Sequence, residues 1–353
     1  METFAAWLPV SEAVMTSQGE NAPVTAPIRS RLLAAIAIGI AAGGLCALKA
    51  ASNAVTMDFE FFWRASRLFA SGINPYPLRP GDPIWPLPDA LFYPGPALIV
   101  AWPLHFFTMP VAAGIFFGGG SAWLAWRLCR EGMWRLWALG GPAFIMAAIL
   151  GQWSPLIVAG ALIPGAGFLL ACKPNIGLAC FAYRPTWVGA ASVVAICLLS
   201  FALLPTWPLE WLANARYVAD HPIAEHPSPI MKPLGWVLIL AIARWRQPEA
   251  RLLLAMALVP QLLYFADQLP LGLVARTRGE AVGLAATGLA AAVTWFLILR
   301  DGAPHVGPAA PYVLLGLYLP ALIVVLRRPN EGVVPAWLDA AVARISIVGR
   351  RGP

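Results

Sequence analysis

The chain has 353 residues, of which 59% are hydrophobic and only 12% charged, with a mean hydropathy of +0.71. Soluble domains carry about 25% charged residues, so an ordinary water-soluble globule is excluded, and length alone does not count domains. The formal net charge of +7 comes from arginines flanking apolar runs, which suits contact with anionic membrane lipids and leaves nucleic acid a poor partner.

In chain order, residues 1–28 are polar and acidic, with no basic stretch ahead of an apolar one. They read as a mobile cytoplasmic tail rather than a signal peptide. Apolar segments follow at 31–50, 94–128, 136–150, 154–171, 186–204, 230–243, 251–266, 281–299 and 309–326. With about 20 residues needed per spanning helix, they predict an all-α, polytopic transmembrane bundle of roughly nine to eleven spans over 29–328, with a tail over 329–353. Segment 94–128 is one broken span or two, the break falling at Pro103, Pro110 or the Gly118-Gly119-Gly120 run.

Arg29 and Arg31 stand just before the first span. The positive-inside rule then places the N-terminus in the cytoplasm and residues 51–93 outside, with 205–229 as a second outer loop. Counted onward, this scheme puts Lys173 on the cytoplasmic side as a helix anchor. It leaves Arg276, Arg278, Arg327 and Arg328 outside, against the rule. Cys46, Cys129, Cys172, Cys180 and Cys197 show no CxxC pairing and read as free core thiols. Phosphate-binding, zinc-protease and nucleophile-elbow motifs are absent from the sequence.

The first outer loop holds the chemistry. Phe59, Phe62, Trp63, Ser66, Leu68, Phe69 and Ala70 recur at helical spacing beside Arg64 and Arg67, and Gly72 and Pro75 close the run. This predicts an amphipathic helix in the plane of the membrane interface. A proline-rich stretch from Tyr76 leads to Phe92-Tyr93-Pro94-Gly95-Pro96. Asp58 is either the cap of that helix or a reacting carboxylate. Glu60 completes Asp-x-Glu, a spacing able to hold a divalent ion, although two carboxylates are too few ligands to argue for one. Arg64 and Arg67 either hold a phosphate or snorkel to the interface. In 205–229, His221 and His226 stand with Asp220, Glu225, Trp207 and Trp211, as a sugar-phosphate site or as an aromatic belt. Gln152 offers a hydrogen bond to a sugar or packs a helix end. Asp267, Arg276, Arg278 and Glu280 complete a donor site or pair with one another.

Several blocks carry a resemblance. Asp58-Phe59-x-x-Phe62-x-x-Ala65 with Gly72 and Pro75-Tyr76 downstream, then Phe92-Tyr93-Pro94-Gly95-Pro96, resembles the first outer loop of membrane glycosyltransferases with the GT-C fold. It is most similar to the polyprenyl-phosphate-mannose-dependent mannosyltransferases of glycosyltransferase family 87. Gly151-Gln152 and Lys173-Pro174 are similar to that family's Gly-Gln and Lys-Pro pair, so the likeness covers residues 50–185. It implies a bacterial inner-membrane enzyme with an outward-facing site. Such an enzyme passes a monosaccharide, with mannose favoured, from a polyprenyl-phosphate donor to a lipid or glycan acceptor.

The resemblance further implies Asp58 as general base in a single displacement with inversion. No cofactor is required, and divalent-metal dependence is left open. Glu60, Arg64, Arg67, Tyr76, Tyr93, Gln152, His221, His226 and Arg276 are the candidate donor- or acceptor-binding residues. The leaving phosphate is already anionic and needs cations or dipoles, not a proton donor. Two other classes compete. A transporter or flippase predicts inverted repeats and mid-span charges, neither of which the sequence shows. A noncatalytic scaffold gives no reason to keep Asp58.

Overall fold

The computed structural model describes residues 26–52, 57–221, 227–299, 309–334, 336, 339 and 340. Most of the 1–28 tail, His226 and the chain beyond residue 340 lie outside them. All regular structure among the described residues is helical. The helices are α1 (Ile28–Ser52), α2 (Asp58–Ala70), α3 (Gly95–Ala101), α4 (Met109–Leu128), α5 (Pro142–Leu150), α6 (Ser154–Leu162) and α7 (Pro174–Tyr183). There follow α8 (Trp187–Leu203), α9 (Trp207–Asp220), α10 (Pro248–Leu258), α11 (Arg278–Leu299), α12 (Ala309–Val313) and α13 (Leu319–Leu326), with 3₁₀ segments between several of them.

Among the described residues three helices are long and apolar enough to cross a membrane: α1, α11, and Ala309–Leu326, where a π turn joins α12 to α13. Two bent pairs raise the number to five if each is one span: Met133–Leu139 with α5, bent by 58°, and α8 with α9, bent by 97°. Fewer helices pass this test of length and apolarity than the nine to eleven spans expected. The reason is proline, which opens α5, α6, α7, α9 and α10 within their first two positions and cuts the apolar stretches into short pieces. A helix such as α6, with 9 residues, rises about 14 Å, against a hydrocarbon layer of about 30 Å.

Helices α1 and α4 run antiparallel at backbone contact. A Cβ on Gly43 would stand 2.7 Å from the Gly114 carbonyl oxygen, and one on Gly118 would stand 2.7 Å from that of Gly39. Small residues four apart on both partners allow this approach. The Gly118–Gly120 run therefore lies inside an intact helix. The break expected in 94–128 falls at Phe107 and Thr108, ahead of Pro110, which sits in the first turn of α4 where its missing N–H costs nothing.

At one end of this pair, Arg31 lies over the Trp126 ring at 4.3 Å. Arg127 there donates to the Leu162 carbonyl at 3.0 Å. Arg251 joins α10 to the Ala182 carbonyl at 3.0 Å, Arg135 donates to the Ala275 carbonyl, and Arg244 to that of Leu326 at 3.2 Å. Arg276 pairs with Glu249 and Arg328 with Glu280 at this same arginine-rich end. The scheme that left Arg276, Arg278, Arg327 and Arg328 outside is thereby corrected: the cationic ends of α11 and α13 lie with the other arginines.

Segment 154–171, expected as one span, is a hairpin. Ile163 is extended (φ −125°, ψ 108°) and Pro164 follows it. The 3₁₀ segment Pro164–Cys172 then folds back along α6, where a Cβ on Gly160 would stand 2.9 Å from the Ala166 carbonyl oxygen.

Gly43→Ala is expected to lower stability by about 1–3 kcal/mol through overpacking against α4. Gly44→Ala, which meets no atom within 4 Å, should be neutral or raise it by up to about 1 kcal/mol. Thermal unfolding of the two variants in detergent separates these outcomes.

Candidate functional site

Asp58 opens α2 as its first helical residue. The cap position belongs to Met57, which makes no side-chain cap bond, so Asp58 is not the N-cap. Its carboxylate stands at the positive end of the helix dipole. Oδ2 accepts from Gln152 Nε2 and, at 3.4 Å, from the Tyr93 hydroxyl, while the residue stays half-buried. Behind it is an aromatic floor: the Phe62 ring lies 5.1 Å from Tyr93 and 4.9 Å from Trp153, and Phe59 lies 5.5 Å from Phe116. The apolar face of α2 thus packs on protein, where the sequence pattern had placed it against the membrane interface.

Gln152 reaches Asp58 because of Gly151. That residue ends α5 in the left-handed region at φ 65°, and a Cβ on it would stand 2.6 Å from Phe59 Cβ. Only glycine meets both demands. Gln152 is fully buried and uses both ends of its amide, since Oε1 accepts from Lys173 Nζ at 2.6 Å. Lys173 also pairs with Asp267 Oδ1 at 2.5 Å, the two side chains being 12% and 1% exposed. Asp267 Oδ2 accepts from the Leu262 backbone N–H at 3.0 Å. Lys173 was expected at the opposite side of the membrane from Asp58. The hairpin at Pro164 reverses the chain once more than hydropathy indicates and brings it back, so one hydrogen-bonded chain runs Tyr93, Asp58, Gln152, Lys173, Asp267.

Tyr76 and Tyr93 belong to the wall of the site. The buried Tyr76 hydroxyl donates to the Tyr93 carbonyl at 2.9 Å. Helix α9 clamps this loop: Asn214 donates to the carbonyls of Tyr76 and Leu91 at 3.0 and 2.8 Å, and Trp211 to that of Phe92 at 2.8 Å. Glu210 accepts from Asn74 at 2.9 Å.

Other candidates stand apart. Glu60 binds Arg64 at 3.0 Å one helical turn on, away from Asp58, because residues two apart on a helix do not share a face. Asp58 and Glu60 therefore do not form a joint ion site. Arg67 lies over the Trp63 ring at 5.1 Å. His221 is exposed and stacks on Tyr217 at 4.5 Å, His226 lies outside the described residues, and Arg276 is held by Glu249 at the arginine-rich end. Among the described residues no group of three or more His, Cys, Asp or Glu side chains converges to hold a metal ion. Lys173 is the member that sequence reasoning left out of the site, and Asp267 was offered only as one of two acids in a 267–280 polar cluster; the Lys-Pro pair and that cluster were their signals.

Lys173→Met leaves the Asp267 carboxylate buried without its cation, at a cost of about 3–5 kcal/mol. Adding Asp267→Asn should restore part of the loss, and a double-mutant cycle by thermal unfolding reads the coupling. Burial, and then the Asp58 charge, hold the Tyr93 hydroxyl well above the ordinary tyrosine range. Folded Tyr93 keeps its proton where the unfolded chain loses it, near pH 10, so its contribution is intact below pH 10 and fades above. Between pH 10 and 11 the wild type should lose about 1 kcal/mol more stability than Tyr93→Phe.

No protein-family model, curated protein or solved structure matches this chain, and the chemistry of the site stands on its own residues.

Proposed function

We propose that the protein is an integral-membrane glycosyltransferase of GT-C type. In this reading it transfers a monosaccharide, mannose by preference, from a polyprenyl-phosphate donor to a hydroxyl of a lipid or glycan acceptor. One observation carries it: the Asp58, Gly151-Gln152 and Lys173-Pro174 blocks, scattered over more than a hundred residues, meet in a single hydrogen-bonded chain around a half-buried carboxylate.

The chemistry follows from that placement. Asp58 takes the proton of the acceptor hydroxyl as the acceptor oxygen bonds to the sugar C1. On the opposite face the C1–O bond to phosphate breaks, and its electron pair leaves with the polyprenyl phosphate, giving inversion. Gln152 and Tyr93 fix the carboxylate so that little reorganisation is needed at the moment of proton transfer. Lys173, two hydrogen bonds from Asp58 and itself paired with Asp267, holds Gln152 and through it the carboxylate in place, while Arg64 and Arg67 are engaged by Glu60 and Trp63. The gathering of arginines at the other end supports a cytoplasmic position for that end and an outward-facing site, in a bacterial inner membrane.

Transfer of radiolabelled mannose from synthetic polyprenyl-phosphate-mannose to a membrane lipid extract tests the reading. Wild type should transfer, and folded Asp58→Asn should fall by about 10²–10⁴-fold, the range for a general base. Equal transfer by both would refute Asp58 as the base. Absence of transfer by wild type, with glucose- and arabinose-charged donors failing too, would refute the glycosyltransferase itself.

A further inference from the structure

A large cavity, about 1120 Å³, lies at the arginine-rich end, far from the Asp58 chain, with Arg184, Arg251, Leu162, Phe181, Trp187 and Ala190 in its wall. Its charges do not balance. Arg276 also lines it, but its Nε and Nη2 donate to the two oxygens of Glu249, at 2.7 and 2.5 Å, and pair off its charge. Glu131 in turn is taken by Arg135 at 2.8 Å. Glu331 is the remaining acid in the wall. Against it stand Arg251, whose donors go to the uncharged carbonyls of Ala182, Trp245 and Arg246, and Arg184, which makes no hydrogen bond or ion pair among the described residues. Behind the wall, Arg127 feels the like charges of Arg130, Arg184 and Arg31 against the single acid Glu131, and its buried Nε has no hydrogen-bond partner. Clustered guanidiniums that outnumber the acids beside them repel one another, and a phosphate relieves this with charge-assisted bonds.

The second property of the cavity is its apolar exit. Trp187 is 76% exposed, and the exposed apolar surface continues along α8 through Val188, Val194 and Leu198. A track of this kind is of no use to a soluble anion. It suits acyl chains lying against a helix whose outer face is apolar. The volume exceeds what a bare phosphate fills and matches a headgroup with the upper part of its chains.

We infer that this cavity is a binding site for an anionic phospholipid, its phosphate against Arg184 and Arg251 and its acyl chains along Trp187 and α8. The inference rests on the cavity and its charges and is independent of the role given to Asp58.

Native mass spectrometry of the delipidated full chain in detergent, titrated with dioleoyl phosphatidylglycerol, dioleoyl phosphatidylcholine or inorganic phosphate, tests it. Phosphatidylglycerol should be retained one per chain and phosphatidylcholine should not. Arg184→Gln should weaken retention about tenfold, the loss of one charge-assisted contact. Ala190→Trp, which fills the apolar part and leaves every charge in place, should weaken it as well. Arg184 is exposed and has no hydrogen-bond or ion-pair partner among the described residues, so its variant keeps the fold, which circular dichroism and gel filtration verify. Equal retention of phosphatidylcholine, undiminished retention by Arg184→Gln, or displacement of the lipid by inorganic phosphate would each overturn the inference.

Discussion

The ammonium of Lys173, shared between Gln152 and Asp267, governs the arrangement of the Asp58 end. A cation removed from water must have an acid and hydrogen-bond acceptors at hand, or its burial is prohibitive. Satisfying Lys173 therefore draws together the start of α6, the end of the 3₁₀ segment that returns from Pro164, and the turn that carries Asp267. Asp267 is then completed by the Leu262 N–H. Because Gln152 uses its carbonyl for Lys173, its amide nitrogen is left to donate, and it donates to Asp58. The orientation of the carboxylate is thus a consequence of where the lysine is buried.

That arrangement needs a rigid support, and two kinds of packing provide it. Glycines on α1 and α4 let the backbones touch, which fixes the end of α1 that leads to Asp58. Phe59, Phe62, Phe116, Tyr93 and Trp153 then interlock in edge and tilted contacts of 4.9–5.5 Å, an apolar floor that cannot shift one ring without displacing the next. Helix α9 holds the loop above the site by donating to its carbonyls from Asn214 and Trp211. Proline-rich backbone, which has few N–H groups of its own to offer, is ordered by its acceptors.

The two ends differ in chemistry. At the Asp58 end the charged groups form a closed chain with one half-buried carboxylate. At the other, Glu249 and Glu280 neutralise Arg276 and Arg328, while Arg184 and Arg251 face an open cavity with an apolar exit. A carboxylate walled by aromatics and a cationic pocket are compatible in one chain, since a bundle of short helices puts loops of opposite character on opposite sides.

Composition and apolar runs were enough to determine that the chain is helical and carries segments able to cross a membrane. The short blocks around Asp58, Gly151-Gln152 and Lys173-Pro174 marked residues that do meet in space. Hydropathy, however, measures how long a segment is apolar and not which way it runs. One extended residue before Pro164 turned a presumed span into a hairpin, which moved Lys173 to the Asp58 side and, with the broken stretches elsewhere, left between three and five helices long and apolar enough to cross among the described residues. Local pairing was likewise invisible in a residue list: Glu60 and Arg64 satisfy each other across one turn, and Arg276 satisfies Glu249, so charges that read as site residues are consumed structurally. The sequence by itself determined which residues are unusual in an apolar chain, because burying a charge is costly wherever it lies. Only the tertiary structure decided which of them meet, because partnership depends on chain reversals that a single proline can add or remove.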